Sequence, residues 1–326
     1  MVGISTYDET DMLEDILAGL RAALAQTGAT LGDNEDDEFR QVEDIQVNKL
    51  VQHAVEDANL PVSWSWFRYG QSIPRSMVSG SNIHPEELGA QEKTMSQKDI
   101  VQTAKTREGY RDYFINDVSM GEAEGIRDIC DLSIDEFLKI VYDEAPVEHR
   151  DLYVANLEMQ NMLRRIALQD GWVSDEEYYD VVWNITRNFQ KEMIRHKEFT
   201  REMRRPVSKY LRIVRQVVVA AQENEEVTPE QRRALKDLAS AYHEPIWKSL
   251  SMKISAVTTT GRDEGLKQNK YEDEVENIVS QARSTIETLP RELDNEGLIS
   301  GVKGFPEPAD DELQTAIAAS ETRIYS

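Results

Sequence analysis

Between residues 175 and 222, apolar side chains recur every three or four positions. That spacing fits an α-helix and defeats a strand. Val181, Val182, Ile185, Phe189, Met193, Phe199 and Met203 share one helical face. Beyond Pro206, the residues Val207, Tyr210, Leu211, Val214, Val217, Val218 and Ala221 form a second apolar stripe. The proline opens a new helix well, because its missing N–H is not needed in a first turn. Helices are therefore predicted over 175–204 and 207–222.

The same reasoning extends along the chain. Leu13, Ile16, Leu17, Leu20 and Leu24 mark an amphipathic helix over 8–27, and a second spans 38–58. Further helices are predicted near 120–130, 133–143, 148–169, 229–257 and 271–289. Three starts carry capping boxes, in which a hydroxyl accepts from a free backbone N–H and an acid or amide reaches back: Ser133 with Glu136, Ser174 with Glu177, and Thr228 with Gln231. Pro245 should bend or interrupt the helix over 229–257. Gly261 and Gly265 separate it from the next. Val62, Trp64 and Trp66 alternate with serines, which predicts a short extended segment. The fold class is mainly α, a multi-helix bundle with at most one short extended segment near 62–69.

Three parts are expected. Residues 1–31 hold an N-terminal amphipathic helix, followed by an acidic solvated run at 32–38. Residues 38–172 form a helical domain with a Trp-rich corner and a long loop over 71–95. Residues 173–326 form a helical domain ending in an acidic, Pro/Gly-rich tail, with a last short helix at 311–320. The boundary falls between Gly171 and Ser174, where the charge character changes.

The chain carries 61 acidic against 37 basic residues, a formal charge of −24. The basic residues divide into 23 Arg and 14 Lys, and the acids are dispersed. Dispersed carboxylates with few lysines are expected of a salt-loaded cytoplasm, where they hold water and cations at the surface. A halophilic, haloarchaeal-type source is the expectation. No apolar run reaches the ~18 residues of a membrane span, and the N-terminus is acidic where a secretory signal would be basic. A cytoplasmic protein with no membrane partner is predicted. A lone cysteine, Cys130 between Asp128 and Asp131, excludes an internal disulfide and reads as a buried small hydrophobe.

Recognisable catalytic patterns are absent. There is no phosphate-cradling loop, dinucleotide glycine fingerprint or Gly-x-Ser-x-Gly elbow. The histidines are His53, His84, His149, His196 and His243, and none has a second histidine at metal-ligand spacing. Glu192 and His196 are one turn apart but offer only two ligands. The sequence thus nominates no catalytic residue, no metal and no cofactor, and it leans away from an enzyme.

One stretch breaks the charge pattern. Residues 183–222 hold ten Lys or Arg and three Glu. Arg187, Lys191, Arg195, Arg201 and Arg205 lie opposite the first apolar face, and Lys209, Arg212 and Arg215 lie opposite the second. Trp183 and Ile194 point into the basic side. Such a helix pair suits an anionic partner, nucleic acid included. It equally suits internal counter-charge, with acids at Asp175–Asp180 and bases toward the helix end, as the helix dipole favours.

The stretch from Asn48 to Pro74 leads from an apolar helix into Trp66-Phe-Arg-Tyr-Gly70. It resembles the start of the Panacea domain, an antitoxin-associated family that includes SocA-like proteins. Lys49, Leu50, Trp66, Tyr69 and Gly70 match its motif, whereas Gln71 stands where the family has proline. The resemblance implies a helical interaction domain that neutralises a toxin, and no cofactor. Leu132–Pro146 is similar to stretches of uncharacterised haloarchaeal proteins. The leading expectation is a non-enzymatic helical interaction protein of a halophile or its mobile elements, antitoxin-like, with a protein partner. The alternatives are a nucleic-acid-binding protein using 183–222 and an enzyme with an unrecognised carboxylate site.

The charge surplus generates a first prediction. Self-repulsion should loosen the chain in dilute buffer, and molar KCl should screen it. The far-UV helical signal and the melting temperature should both rise from low to molar KCl. Equal stability at the two ends would contradict a halophilic design.

Overall fold

The structure is a computed structural model. It describes residues 9–32, 42–60, 62, 64–68, 70–72, 107–168, 176–221, 227–260 and 264–299. The first part holds α1 (Glu9–Thr27), α2 (Val42–Asp57), β1 (Ser65–Phe67) and β2 (Gly70–Ser72). Next come α3 (Arg107–Asp112), a π-helical turn over Tyr113–Asp117, β3 (Ser119–Met120), β4 (Ala123–Glu124), α4 (Gly125–Cys130), α5 (Ile134–Asp143) and α6 (Val147–Leu168). The rest comprises α7 (Glu176–Arg195), α8 (Arg201–Ala221), α9 (Pro229–Ala241), a second π-helical turn over Tyr242–Trp247, α10 (Lys248–Thr258) and α11 (Glu264–Asn295). The fold is mainly α, as the periodicity requires. The extended segment at 65–67 pairs antiparallel with β2, Trp66 opposite Gln71. A second minimal hairpin joins β3 and β4.

Local signals place several boundaries. Ser133 and Thr228 each accept a bond from the backbone N–H three residues on, and Glu136 and Gln231 return one. Ser174, the third expected cap, lies outside the described residues, as do the loop over 73–95, the tail helix at 311–320 and the interval Gly171–Ser174. Pro245 sits inside the second π turn, where α9 gives way to α10. Gly265 does not separate helices; it lies within the first turn of α11.

The break between α7 and α8 is displaced from the expected site. It falls at His196–Thr200, and Pro206 lies inside α8. Side-chain bonds hold the earlier turn. Arg204 donates to the His196 carbonyl at 2.6 Å, and Glu198 engages two histidines. Pro206 lies in the second turn of α8, where its missing N–H costs the bond to the Glu202 carbonyl.

The buried apolar residues form one cluster running from Leu13 to Leu298. α1 lies against α3, and Gly19 permits it: a Cβ there would overlap Tyr110. Gly125 opens α4 at φ +76°, with the Ile115 carbonyl where a Cβ would stand. At the centre is Tyr153 of α6. Its ring lies 5.2 Å from Tyr142, 5.4 Å from Trp66 and 5.4 Å from Trp247. Phe189 and Tyr210 extend the aromatic group to Tyr242. Cys130 is buried.

β1 is held by polar bonds from three directions. Trp66 N–H donates to Thr258 Oγ1, and its carbonyl accepts from Ser255 Oγ, both from α10. The Phe67 carbonyl accepts from the Tyr153 hydroxyl, and the Arg68 carbonyl from Trp247 Nε1. Trp64 and Thr260 exchange backbone bonds. Trp66 is 2% exposed, while Trp64 is half-buried. Trp66→Ala should therefore cost about 3–5 kcal/mol in denaturant melts. A loss below about 1 kcal/mol would mean that the corner is not a packed anchor.

Candidate functional site

The basic residues of α7 and α8 divide by what they touch. Arg195 pairs with the buried Glu192 at 2.6 Å and approaches Asp151 of α6 at 3.8 Å; Lys191 reaches Glu192 at 3.4 Å. Arg215 lies 4.2 Å over the Trp183 ring and donates from Nε to Thr186 at 2.8 Å. These three serve the helix pair itself. Arg187 is exposed, and Arg212 is half-buried.

Arg201, Arg205 and Lys209 behave differently. They line one wall of a groove of about 540 Å³ between α8 and α11, with Arg283 on the other wall. Pro206 and Ile286 supply apolar floor, and Glu202 and Glu287 complete the lining. A second hollow of about 640 Å³ adjoins it, sharing Glu202 and Arg283. Its lining adds Glu272, Asp273 and Glu276, with Lys253 paired to Glu272. One trough thus carries a basic end and an acidic end. Glu202 sits in the first turn of α8. Its own backbone N–H and the Thr200 hydroxyl hold its carboxyl below the ordinary range, helped by Arg283 and Arg201.

Of the residues that match the Panacea motif, Lys49 and Leu50 are buried in α2, Trp66 is buried on β1 and Gly70 opens β2. Tyr69 lies outside the described residues. Burial pushes the Lys49 amine well below its usual value, against the opposing pull of Glu144.

A third cluster joins α6 to the α7–α8 turn. His149 Nε2 lies 2.8 Å and His196 Nδ1 3.2 Å from the same oxygen, Oε1 of Glu198. The two imidazoles stack with centroids 5.0 Å apart and planes 10° from parallel. Both are buried, at 4% and 7% exposure, and Phe199 packs on His196 at 5.5 Å. Burial alone would raise the Glu198 pKa. The bonds from His149 and His196, with that to its own backbone N–H, outweigh it and hold the carboxyl far below the usual range. One donor atom from each of the three residues falls within 4.8 Å of the others.

A family model described as a domain of unknown function, DUF8098, matches residues 1–324. The chain belongs to that family. No curated protein and no solved structure matches the chain. The family therefore brings no assigned chemistry to these residues, and their roles rest on geometry.

Sequence spacing overlooked the histidine cluster because its members sit on different elements. His149 lies in the first turn of α6, whereas His196 and Glu198 lie in the turn between α7 and α8. The trough was half visible: the basic wall belongs to the predicted helix pair, but Arg283 and the acidic end come from α11.

The depressed Glu198 pKa sets a direction with pH. A carboxylate whose folded pKa lies below its unfolded value of about 4.3 stabilises the fold fully above that value and loses the contribution as pH falls below it. In chelator-treated molar KCl, wild type should melt above Glu198→Gln at neutral pH, and the gap should shrink below about pH 4. A gap that widens on acidification would contradict this arrangement.

Proposed function

We propose that this chain is a non-enzymatic interaction protein that receives a segment of a partner protein in the trough between α8 and α11. The supporting observation is the trough's two-signed lining: Arg201, Arg205 and Lys209 outweigh Glu287 at one end, Glu272, Asp273 and Glu276 outweigh Lys253 at the other, and Glu202 and Arg283 line both. A partner segment with carboxylates at one end and basic residues at the other complements that arrangement. A phosphate backbone carries one sign along its whole length, so the acidic end repels it. Of the cations that would lengthen a nucleic-acid stripe, Arg215 is engaged within the helix pair and Lys191 and Arg195 pair with the buried Glu192, which leaves Arg187 exposed. Concave charge also focuses its field better than the same charge on a convex surface.

The setting of this function is a halophile's cytoplasm, on the strength of the −24 charge with acids dispersed. The likeness of residues 48–74 to the Panacea domain extends the reading to an antitoxin-like role in mobile-element conflict. In that role the partner is a toxin, and the gene beside this one is the first place to seek it.

Arg205→Gln combined with Lys209→Gln tests the trough. Both side chains are exposed, so stability should change by less than about 0.5 kcal/mol. Co-elution with the neighbouring gene product in molar KCl should be seen for wild type and lost for the double variant. A duplex-DNA titration run beside it separates the alternative. DNA affinity whose log–log salt slope flattens by about two units in the variant would replace a protein partner with nucleic acid.

A further inference from the structure

We propose that His149, His196 and Glu198 bind a divalent transition-metal ion of the zinc class. Two imidazoles and one carboxylate are a donor set suited to zinc and its neighbours, and three protein ligands leave coordination positions free. The spacing fits. Metal–ligand bonds of about 2.0–2.1 Å at tetrahedral angles place neighbouring donor atoms about 3.3–3.4 Å apart. The two nitrogens lie 2.8 and 3.2 Å from Glu198 Oε1, and all three donor atoms fall within 4.8 Å of one another, so an ion requires the carboxylate to withdraw by a few tenths of an ångström and the two rings to tilt toward it.

The surroundings suit a metal as well. The nearly parallel stack of the rings brings Nε2 of one and Nδ1 of the other to the same oxygen. Ligation asks each imidazole to give up the proton on that nitrogen and to carry one on the other. For His149 the other nitrogen is Nδ1, which is buried and makes no hydrogen bond among the described residues. Moving the proton there gives up the hydrogen bond from Nε2 to Glu198 Oε1 in exchange for the bond to the metal. Both rings are buried, but the Glu198 side chain keeps 21% of its surface exposed, which gives an ion a way in from solvent. Arg204 fixes the turn from behind through the His196 carbonyl, as outer-shell groups commonly orient metal ligands. A bound ion would fasten the start of α6 to the turn that launches α8, and so would set where the basic wall of the trough stands.

The test uses the full chain, stripped with a chelator and held in molar KCl with millimolar Mg²⁺ to occupy surface carboxylates. Calorimetric titration with ZnCl₂ should show one site per chain. Co²⁺ should give visible absorption bands of four- or five-coordinate geometry. His149→Ala and Glu198→Gln should each weaken Zn²⁺ at least tenfold, with far-UV dichroism confirming that they fold. Arg205→Gln with Lys209→Gln should leave Zn²⁺ affinity unchanged, which keeps this result separate from that of the trough. If His149→Ala does not fold, ¹⁵N shifts of the wild-type imidazoles decide: Zn²⁺ should move His149 Nε2 and His196 Nδ1 and leave His53 and His243 in place. Absence of Zn²⁺ binding, affinity indifferent to both ligand substitutions, or unmoved imidazole shifts would overturn the site and leave a hydrogen-bonded clamp.

Discussion

The backbone of residues 64–68 is the polar seam on which the fold depends. A short extended segment inside a helical protein must satisfy its N–H and carbonyl groups without a wide sheet. Here β2 covers only one edge. The remaining groups are taken by Thr258 and Ser255 of α10, by Tyr153 of α6 and by Trp247 of the second π turn. Each of these donors or acceptors also belongs to, or lies beside, the aromatic group around Tyr153. Polar satisfaction and apolar packing are therefore achieved by the same side chains. Arg68 adds a further tie, bonding the His243 carbonyl at 2.6 Å and pairing with Glu244 at 2.8 Å. Residues far apart in the chain are thus made mutually dependent.

Helices were legible wherever the determinant was local. The boxes at Ser133 and Thr228 contain their own partners within one turn, and the apolar stripes of α7 and α8 needed only the helical repeat. What escaped was decided at long range. Pro206 looked like a helix start because nothing nearby reveals that Glu198 is engaged by His149, which lies on α6. The short α3 and its π turn carry Tyr110, Tyr113 and Phe114, which are buried against other elements, yet the segment is too brief for a period to stand out. The mini-hairpin of β3 and β4 rests on a few backbone bonds and the positive φ of Gly121 and Gly125, and alternation over two residues is no signal at all.

The sites follow the same division. Arg201, Arg205 and Lys209 recur at four-residue spacing, so their shared exposure could be read from helix geometry. Which cations would be consumed internally could not, because Arg215 is claimed by Trp183 from a neighbouring helix and Lys191 and Arg195 by a glutamate that burial makes valuable. An exposed guanidinium in a strongly acidic protein and a structural one have the same local sequence. The histidine pair is the extreme case: two nearly parallel imidazole rings that share one glutamate oxygen are separated in sequence by most of two helices.

The π turn at Tyr242–Trp247 works as a phase shifter. An α-helix advances about 100° per residue, and a π turn inserts an extra residue into one turn. α9 therefore aims Leu235 and Leu238 at its neighbours in one phase, and α10 aims Ser255, Thr258 and Thr259 in another. A continuous α-helix through this region would rotate the hydroxyls of α10 away from the strand they serve. Pro245 helps to hold the shift, since its missing N–H discourages a return to regular α-helical bonding. Reforming the turn as regular α-helix with all its residues kept would turn the second half like a key withdrawn by one notch, and leave Trp66 with unsatisfied backbone in a dry interior.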